Sequence, residues 1–521
     1  MSRKGYYNCK VYTCDPDNPE ADCFIVEDGR FFHVGETPLF DSCNKKIDLK
    51  GKCVIPGLVD SHCHFLAGVQ QSAMNMLVID SATKPEELGD ALLNSLKENP
   101  VPPDKTIAAV GIDLTLGDFR AEHIDTAIPD RPVGVFSADG HALLLNSKAM
   151  ELLNMEKDEE HTGLVVELSA MLPCMELFEY LSMDDDERQD ILRKLVRTYN
   201  SMGYTTVFDA MSIDNDNTEL LSTLKSLDRD SLLKLRIVLS FGYHGSDVMS
   251  AEDALHIMKH NRENFTSKNV FPDTLKLISD GTVEEHSALL TDPYSDELGG
   301  YGEETVSEDD MRKMADLTAK EGFSVHIHAI GDEAVKRSLD ILTSLKDMKG
   351  TRTIAHNQLY GDKDIERMIA DKGIFFQTTP HWMLGDEHTL NCLGEKRFNM
   401  QFPIGTMVRN GVKVSFGSDC AYDDNYSNPF RGMYYACARG SEEYLGNECL
   451  PPASEAISRM DALKAYTING AEQLNLGSIT GSISAGKSAD FVITDRDIIT
   501  CSLSDLKDTK VESVYFKGKL L

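Results

Sequence analysis

The two ends of the chain share one pattern of apolar and polar residues, and the middle has another. Within residues 5–56, short and largely apolar runs joined by turn residues predict β-strands. Residues 486–494 and 511–519 have the same pattern. Two β-rich segments at opposite ends most simply form one small domain, so we expect a β-sandwich built from residues 1–56 and 470–521.

Between these ends, strand-like apolar runs alternate with helical patterns. Strands are predicted at residues 107–110, 132–137, 205–209, 236–241, 274–279, 323–329, 352–355, 373–378 and 413–417. Helices are predicted between them, and Ser307 with Asp310 is a typical start of one. Strands alternating with helices predict parallel βαβ units. We expect an α/β fold with a (β/α)8 TIM barrel over residues 57–469, although the pattern alone also fits a doubly wound open sheet.

Two long, irregular segments, residues 281–304 and 380–402, interrupt this alternation. Their aromatic residues are Tyr294, Tyr301, Trp382, Phe398 and Phe402, and Trp382 is the only tryptophan in the chain. Long loops that follow barrel strands often form lids or the walls of a substrate pocket. We therefore expect these two loops to offer aromatic surface to a small molecule.

The charge and composition exclude several classes of partner. The 521 residues carry a formal net charge of −33 without a basic stretch, which argues against nucleic-acid binding. No apolar run approaches the ~18 residues of a membrane span, and the N-terminus lacks the apolar core of a secretory signal. The twelve cysteines form no Cys-x-x-Cys pair, which fits reduced thiols. We expect a cytoplasmic protein with a small-molecule substrate, and the sequence leaves a homo-oligomer open.

The apolar run at residues 53–59 leads into two histidines, His62 and His64. Alternate side chains of a strand point to the same side, so both imidazoles can reach one point just past the end of the strand. Neutral imidazoles that converge on one point are the outline of a metal site. Cys63, between them, points to the opposite face and is expected in the core.

Further candidate ligands follow other predicted strands. His326 and His328 lie near the end of one strand, where His328 is the better-placed ligand and His326 is expected to support it. His356 ends the next strand, and Asp419 follows a later one. Lys276 lies in an otherwise apolar strand, where a charged amine is costly. Each residue alone has an ordinary structural explanation, but together, at successive strand ends, they predict a metal site.

These motifs resemble those of the metal-dependent amidohydrolase superfamily and, within it, the YtcJ-like branch (amidohydrolase family 3). The resemblance covers nearly the whole chain, and its carriers are residues 56–64, 139–141, 146–149, 276–281, 328–332, 356, 417–419 and 481–493. It implies a (β/α)8 barrel with a β-sandwich formed by both termini. It also implies a hydrolytic site with one or two divalent metal ions, for which zinc is expected.

The resemblance assigns each candidate ligand a role by its position. His62, His64 and Asp419 resemble the ligands of the more buried metal ion. His328 and His356 resemble the ligands of a second ion. The ligand set of the family is therefore complete in this chain.

Two further positions follow from the same resemblance. Lys276 matches a lysine that family members carboxylate and use as a bridge between two metal ions. His141, just after a predicted strand, is expected either to polarise or bind the substrate or to have only a structural role. Two departures from the family pattern, the alanine before His356 and Cys420 after Asp419, bear on the substrate rather than on the metal.

The residue types indicate the reaction. Metal cations polarise a carbonyl group and lower the pKa of a bound water toward ~7, which provides a metal-bound hydroxide for attack. Asp419 is expected to take the proton of that water and to hand it to the leaving nitrogen. We therefore expect hydrolysis of a carbon–nitrogen bond that is not a peptide bond, such as that of an N-acyl or N-formyl amine.

Two alternatives are ranked below this one. Deaminases of the superfamily generally lack the bridging lysine and often carry a glutamate shortly after the histidine that corresponds to His328. Here Lys276 is present, and residues 329–332 contain no glutamate. A non-catalytic scaffold of the same fold usually loses metal ligands, and none is missing here.

Overall fold

The computed structural model of the protein consists of two compact units. One comprises Met1–Ala67 and Leu192–Leu521, and the other comprises Gly68–Ile191. The structure describes residues 3–35, 43–74, 76–138, 140, 142–155, 162–166, 168–178, 183–211, 218–296, 298–383, 385, 387–421, 426–440 and 449–521.

Both ends of the chain contribute to one seven-stranded sheet in the larger unit. Its strands are β1 (Arg3–Tyr12), β2 (Glu20–Glu27), β3 (Arg30–Val34), β4 (Lys45–Pro56), β18 (Phe491–Thr494), β19 (Val511–Phe516) and β20 (Lys519–Leu520), in the order β20-β19-β18-β4-β1-β2-β3. Antiparallel pairing of β18 with β4 joins the two ends. The rings of Tyr6 and Phe491 both pack against Phe24, with centroids 4.8 and 4.9 Å from it. The β-sandwich itself stays a prediction.

The candidate ligands belong to an eight-stranded parallel sheet in the same unit. Its strands are β5 (Leu58–Cys63), β11 (Tyr204–Asp209), β12 (Arg236–Gly242), β13 (Val270–Ile278), β14 (Ser324–Ala329), β15 (Arg352–His356), β16 (Ile374–Thr378) and β17 (Val414–Phe416), in the order β17-β16-β15-β14-β13-β12-β11-β5. Ser61 Oγ donates to the Phe416 carbonyl oxygen at 2.7 Å, so β17 returns to β5 and the sheet nearly closes. The predicted parallel barrel sheet is confirmed.

Helices connect the strands of both units. They are α1 (Phe65–Met74), α2 (Leu88–Glu98), α3 (Ala121–Asp125), α4 (Ser147–Leu152), α5 (Leu168–Met171), α6 (Asp185–Ser201), α7 (Thr218–Arg229), α8 (Ala251–Phe265), α9 (Glu308–Lys320), α10 (Asp332–Ser344), α11 (Asp362–Ala370), α12 (Glu387–Phe398), α13 (Ile404–Arg409), α14 (Pro429–Ala438), α15 (Arg459–Ala465), α16 (Ile468–Gln473) and α17 (Leu503–Leu506). The side chain of Ser307 caps α9 by accepting the Asp310 N–H at 3.2 Å, as its sequence predicts. Among the described helices, none combines the length and apolar character needed to cross a bilayer.

The smaller unit contains a separate five-stranded sheet. Its strands are β6 (Leu77–Val78), β7 (Ile107–Ile112), β8 (Val133–Ser137), β9 (Ala142–Leu145) and β10 (Leu164–Val166), in the order β10-β9-β8-β7-β6. The predicted strands at 107–110 and 132–137 therefore lie here and not in the eight-stranded sheet. The sequence did not distinguish them because strands β6 to β8 are parallel and have the same alternating pattern as the barrel.

A buried ion pair links the two sheets of the larger unit. Arg236 begins β12, and its Nη1 lies 2.7 Å from Oδ2 of Asp490, just before β18. Both side chains are almost completely buried. Asp490 also accepts hydrogen bonds from Thr480 Oγ1 at 2.8 Å and from the Lys517 N–H at 2.8 Å. Because these partners satisfy the carboxylate, the charge of Arg236 is compensated inside the protein.

We expect Asp490→Asn to destabilise the larger unit strongly. The amide leaves the Arg236 guanidinium without a counter-charge, and breaking a buried pair in this way costs about 3–5 kcal/mol. Urea unfolding followed by circular dichroism measures the change in midpoint. Asp495→Asn is the matched control, because its pair with Arg496 is partly exposed and such pairs contribute about 0–1 kcal/mol. Equal midpoints for the two variants would contradict the expected role of the buried pair.

Candidate metal centre

The predicted ligands lie at one edge of the eight-stranded sheet. His62 is near the carboxyl end of β5, His356 is the last residue of β15, and Asp419 follows the end of β17 by three residues. On β13 and β14, Lys276 lies opposite His326 in the strand register. In parallel barrels the carboxyl ends of the strands face the same side, and active sites form there.

Asp419 is the centre of this group. Its Oδ1 lies 3.1 Å from His64 Nε2 and 3.2 Å from His62 Nε2, and its Oδ2 lies 3.4 Å from His356 Nδ1. The Lys276 amine is 3.3 Å from His62 Nε2. The structure thus groups four of the other five sequence-predicted metal ligands with Asp419.

The sixth predicted ligand, His328, lies next to this group. Its ring centroid is 4.2 Å from that of His356. Its Nε2 lies 3.5 Å from the Gly281 carbonyl oxygen and 3.8 Å from Asp280 Oδ1. His328 therefore borders the site on the side of His356, with its Nε2 close to Asp280.

Two of the predicted ligands have an unusual backbone. His356 has a φ of 73° and Asp419 has a φ of 52°, both in the left-handed region that non-glycine residues seldom adopt. Such a conformation costs about 1–3 kcal/mol and persists only where the surroundings enforce it. Here the Asp419 N–H donates to the His62 carbonyl oxygen at 2.7 Å. The backbone bonds that enforce this conformation also place the carboxylate beside the histidines.

The orientation of the His62 ring is set by a residue that the sequence did not reveal. Gln377 Nε2 donates to the Thr378 carbonyl oxygen at 3.1 Å, which leaves Gln377 Oε1 facing His62 Nδ1 at 3.0 Å. Because this oxygen is an acceptor, the His62 Nδ1–H donates a hydrogen bond to it. The other ring nitrogen, Nε2, then keeps its lone pair on the side of Asp419. His326 Nε2 also lies 3.0 Å from His62 Nδ1, so this histidine packs behind the group. Partners of this kind fix the tautomer and orientation of a metal-binding histidine.

Burial determines the charges of the group. It lowers the pKa of His62 to about 4 and that of His356 well below its usual range, so both imidazoles are neutral near pH 7. Burial also lowers the pKa of Lys276 to about 8. Burial raises the pKa of Asp419, but the neighbouring His62 and His356 outweigh it and hold that pKa well below its usual range.

These protonation states fit a bound metal ion. Neutral imidazoles and an ionised carboxylate are the forms that coordinate metals. One ligand atom from each of His62, His64 and Asp419 lies within 4.8 Å of the others. Both ring nitrogens of the buried His356 lack a hydrogen bond, which is costly in a protein interior unless another partner takes their place. A histidine and carboxylate donor set is one that zinc uses.

His141 and the aromatic residues of the two long loops are the remaining site features that the sequence predicts. His141 lies outside the described residues, as does Asp139. Trp382 stacks on His356, with ring centroids 5.1 Å apart and planes 10° apart. Tyr294 and Phe402 are buried, whereas Tyr301 is exposed. Trp382 is therefore the loop aromatic residue that stacks on a member of the Asp419 group.

We expect Gly417→Ala to disrupt the site. A Cβ at Gly417 would lie 2.5 Å from both the backbone nitrogen and the carbonyl oxygen of His62, so β5 or the segment that carries Asp419 must move. Displacement of either should lower metal content and turnover by at least about tenfold, since misplacing reacting groups by 1 Å costs about a hundredfold. Elemental analysis and steady-state kinetics measure both.

Gly350→Ala is the control, because it also introduces a methyl group without room for it but does so away from the site. A Cβ there would lie 2.2 Å from the Phe323 carbonyl oxygen, but at the start of β15, on the opposite edge of the sheet. It should lower thermal stability while the folded protein keeps its metal. Metal loss of the same size in both variants would show that Gly417 has no special role in the site.

Comparison with known proteins places these features in a family. A model of the Amidohydrolase family matches residues 45–521. The chain is 25% identical to the N-substituted formamide deformylase of Arthrobacter pascens, in a match that covers 98% of this chain and 97% of that protein. It is 23% identical to YtcJ of Bacillus subtilis (strain 168), with 98% of each chain covered.

A solved structure gives the same result for the fold. The structure of an uncharacterized metal-dependent hydrolase from Pyrococcus horikoshii OT3 matches with a TM-score of 0.76 and 21% identity, and covers 96% of this chain and 99% of that one. The resemblance to the YtcJ-like amidohydrolases is therefore confirmed, and with it the enzyme class expected from the sequence. The chain belongs to the amidohydrolase family.

Proposed function

We propose that this chain hydrolyses the carbon–nitrogen bond of a small N-acyl or N-formyl amine. The observation that supports this function most directly is the convergence of Asp419 with His62, His64 and His356 at distances of 3.1–3.4 Å. The formamide-cleaving relative from Arthrobacter pascens, which aligns over 98% of the chain, favours this substrate class. We propose a cytoplasmic enzyme, a setting that suits twelve described cysteines none of which is in a disulfide.

The proposed metal is zinc, in one or two copies. His62, His64 and Asp419 would hold one ion, and His328 and His356 would hold a second. When bound, such an ion polarises the substrate carbonyl and acidifies a water molecule. The short distances around Asp419 make the first of these positions the more compact one.

Asp419 is proposed to transfer the proton of the attacking water to the leaving nitrogen. As an ionised carboxylate it accepts a proton from the attacking water, and as a carboxylic acid it donates that proton to the nitrogen that leaves. Neutral His62 and His356 beside it do not compete for the proton, since burial disfavours their charged forms. Trp382 stacks on His356 and so supports the position of that ring beside Asp419.

Lys276 is proposed to be carboxylated. Its amine is almost fully buried and lies 3.3 Å from His62 Nε2, where a cation would repel a bound dication. The neutral amine attacks the carbon of carbon dioxide, a nitrogen–carbon bond forms, and the nitrogen loses a proton. The resulting carbamate is an anion that can bridge two ions. The alternative role is an amine that holds a substrate carboxylate.

We expect purified enzyme to cleave N-acyl or N-formyl amines into a carboxylate and an amine, and Asp419→Asn to lose this activity. An amide can still coordinate weakly through its oxygen but cannot accept the proton, so turnover should fall ~10²–10⁴-fold. A panel of such amides, lactams and deaminase substrates, with carboxylate and ammonia measured separately, gives the reaction class.

Two results of this assay would count against the proposal. Release of ammonia from a ring substrate, without carboxylate, would indicate the deaminase alternative. Activity of Asp419→Asn within a few-fold of wild type at unchanged metal content would show that Asp419 is not the base. Circular dichroism of the variant verifies that the loss of turnover is not a loss of fold.

We expect Lys276→Ala to lose metal together with activity, and short carboxylic acids to restore part of both by replacing the carbamate. Elemental analysis and kinetics with and without added acetate or propionate measure this. Lys487→Ala is the control, because that half-buried lysine has no contact with the site and contacts the Thr480 carbonyl oxygen. Full metal content in Lys276→Ala with only a raised KM would instead favour the substrate-binding lysine.

A further inference from the structure

A second group of metal-binding side chains lies outside the Asp419 group. It joins the long loop after β13 to helix α12, and its members are His286, Asp296 and Cys392. One ligand atom from each residue lies within 4.8 Å of the others. The proposed catalytic function uses none of the three, so this group calls for an explanation of its own.

The contacts within the group are close. His286 Nε2 lies 2.6 Å from Asp296 Oδ2, and both side chains are about four-fifths buried. Burial raises the pKa of Asp296, but hydrogen bonds from His286, the Gly299 N–H and Cys392, together with the charge of His286, lower that pKa below its usual value. Cys392 is completely buried and is not in a disulfide. An imidazole, a carboxylate and a thiol thus face one another in a site that is largely closed to solvent.

A second histidine stands beside the sulfur. His388 Nε2 lies 3.1 Å from the Glu284 carbonyl oxygen, and since a carbonyl only accepts, this nitrogen carries its proton. The same nitrogen is 3.9 Å from Cys392 Sγ. His388 therefore lies beside the sulfur, with its Nε2 hydrogen bond made to the backbone of the loop.

The backbone around the group is fixed by independent contacts. The Ser295 N–H donates to the Cys392 carbonyl oxygen at 2.8 Å, and Ser295 Oγ donates to the Leu393 carbonyl oxygen at 2.9 Å. Arg397 donates to the Asp292 and Pro293 carbonyl oxygens, each at 2.8 Å. These bonds hold the loop on α12 without help from the three side chains. The two backbone segments that carry the ligands are therefore held together before any ion arrives, which favours a tight metal site.

We propose that His286, Asp296 and Cys392 bind a zinc-like divalent cation that joins the loop after β13 to α12. Thiolate, imidazole and carboxylate donors together suit zinc, and a buried thiolate disfavours magnesium and calcium. On binding, the Cys392 thiol loses its proton to solvent, and the ion takes the place of the hydrogen bond between His286 and Asp296. A water molecule would complete a tetrahedral set.

This site is independent of the catalytic proposal. Its ligands come from the segments 286–296 and 387–398, whereas the catalytic ligands follow strands of the barrel sheet. The competing explanation is a hydrogen-bonded group without a metal ion, in which both His286 and the Cys392 thiol donate to Asp296. The two explanations differ in whether the sulfur is bonded to a metal ion, and that has a spectroscopic signature.

The test replaces the metal ions of the full-length enzyme by Co²⁺ and records its absorption spectrum. The wild-type protein should show a thiolate-to-cobalt charge-transfer band in the near ultraviolet, because the proposed catalytic ligands include no cysteine. Cys392→Ala should lose this band together with one equivalent of bound metal. Cys420→Ala, which removes the cysteine next to Asp419, should keep the band.

Each result decides the proposal. Absence of the band from the wild-type protein, or its loss in Cys420→Ala but not in Cys392→Ala, would overturn the site. If Cys392→Ala fails to fold, the partly exposed His286 provides a second variant: His286→Gln should lose one equivalent of metal, and an unchanged metal count would overturn the site. Failure of Lys276→Ala or Asp419→Asn to behave as expected would not alter the thiolate band, so the two proposals fail separately.

Discussion

The hydrogen bond from the Asp419 N–H to the His62 carbonyl oxygen, at 2.7 Å, is the contact on which the site depends. It joins the segment after the last barrel strand to the first one, so the same bond closes the sheet and brings a carboxylate to two histidines. The two segments approach so closely that Gly417 has no room for a Cβ. Bringing the end of β17 up to β5 forces Asp419 into a left-handed backbone conformation, which costs free energy. The same approach places the Asp419 carboxylate beside His62 and His64.

Once the side chains are brought together, burial decides their charges. Imidazoles lose protons more readily in a low-dielectric interior, whereas a carboxylate keeps its charge only if close neighbours stabilise it. His62 and His356 are therefore neutral and can donate an electron pair to a metal ion, and Asp419 stays ionised between them. Behind them, Asp60 accepts from the Ser418 N–H and from Ser418 Oγ, at 3.0 and 2.7 Å, so the segment that carries Asp419 is fixed from the buried side as well. The protonation states that suit a bound cation therefore depend on burial and on neighbouring groups as well as on the residue types.

The sequence predicted the site residues whose positions follow from the alternation of side chains along a strand or from the end of an apolar strand. His62 and His64 share a face because strand side chains alternate, and His356 and Asp419 were recognised because they follow apolar strands. Gln377 could not be recognised, because a glutamine within a strand has no distinctive pattern. The separate sheet of residues 68–191 was missed for a related reason: its strands β7 and β8 have the same local pattern as barrel strands. Which sheet a strand joins depends on distant partners.

The group of His286, Asp296 and Cys392 was beyond sequence reasoning for the same physical cause. His286 and Asp296 are ten positions apart in an irregular loop, and Cys392 lies about a hundred positions further on, in α12, so no period relates the three residues. Only tertiary packing brings them together, and a cysteine without a Cys-x-x-Cys partner does not by itself predict a metal site. Of the aromatic residues in these loops, Tyr301 is exposed, Tyr294 packs inward against His286, and Trp382 stacks on His356.

The packing of the two loops limits how substrate can reach the site. Val283, Tyr294 and Cys392 belong to one apolar cluster, and Trp382 packs against it while stacking on His356. A loop that opened alone would expose this shared cluster to water, at a cost of about 25 cal/mol for each Å² of apolar surface. The loops must therefore either stay closed during turnover or open together, with Trp382 moving away from His356. Changes that separate the loops should then affect substrate entry and the position of His356 at the same time, even though they lie far from Asp419 in sequence.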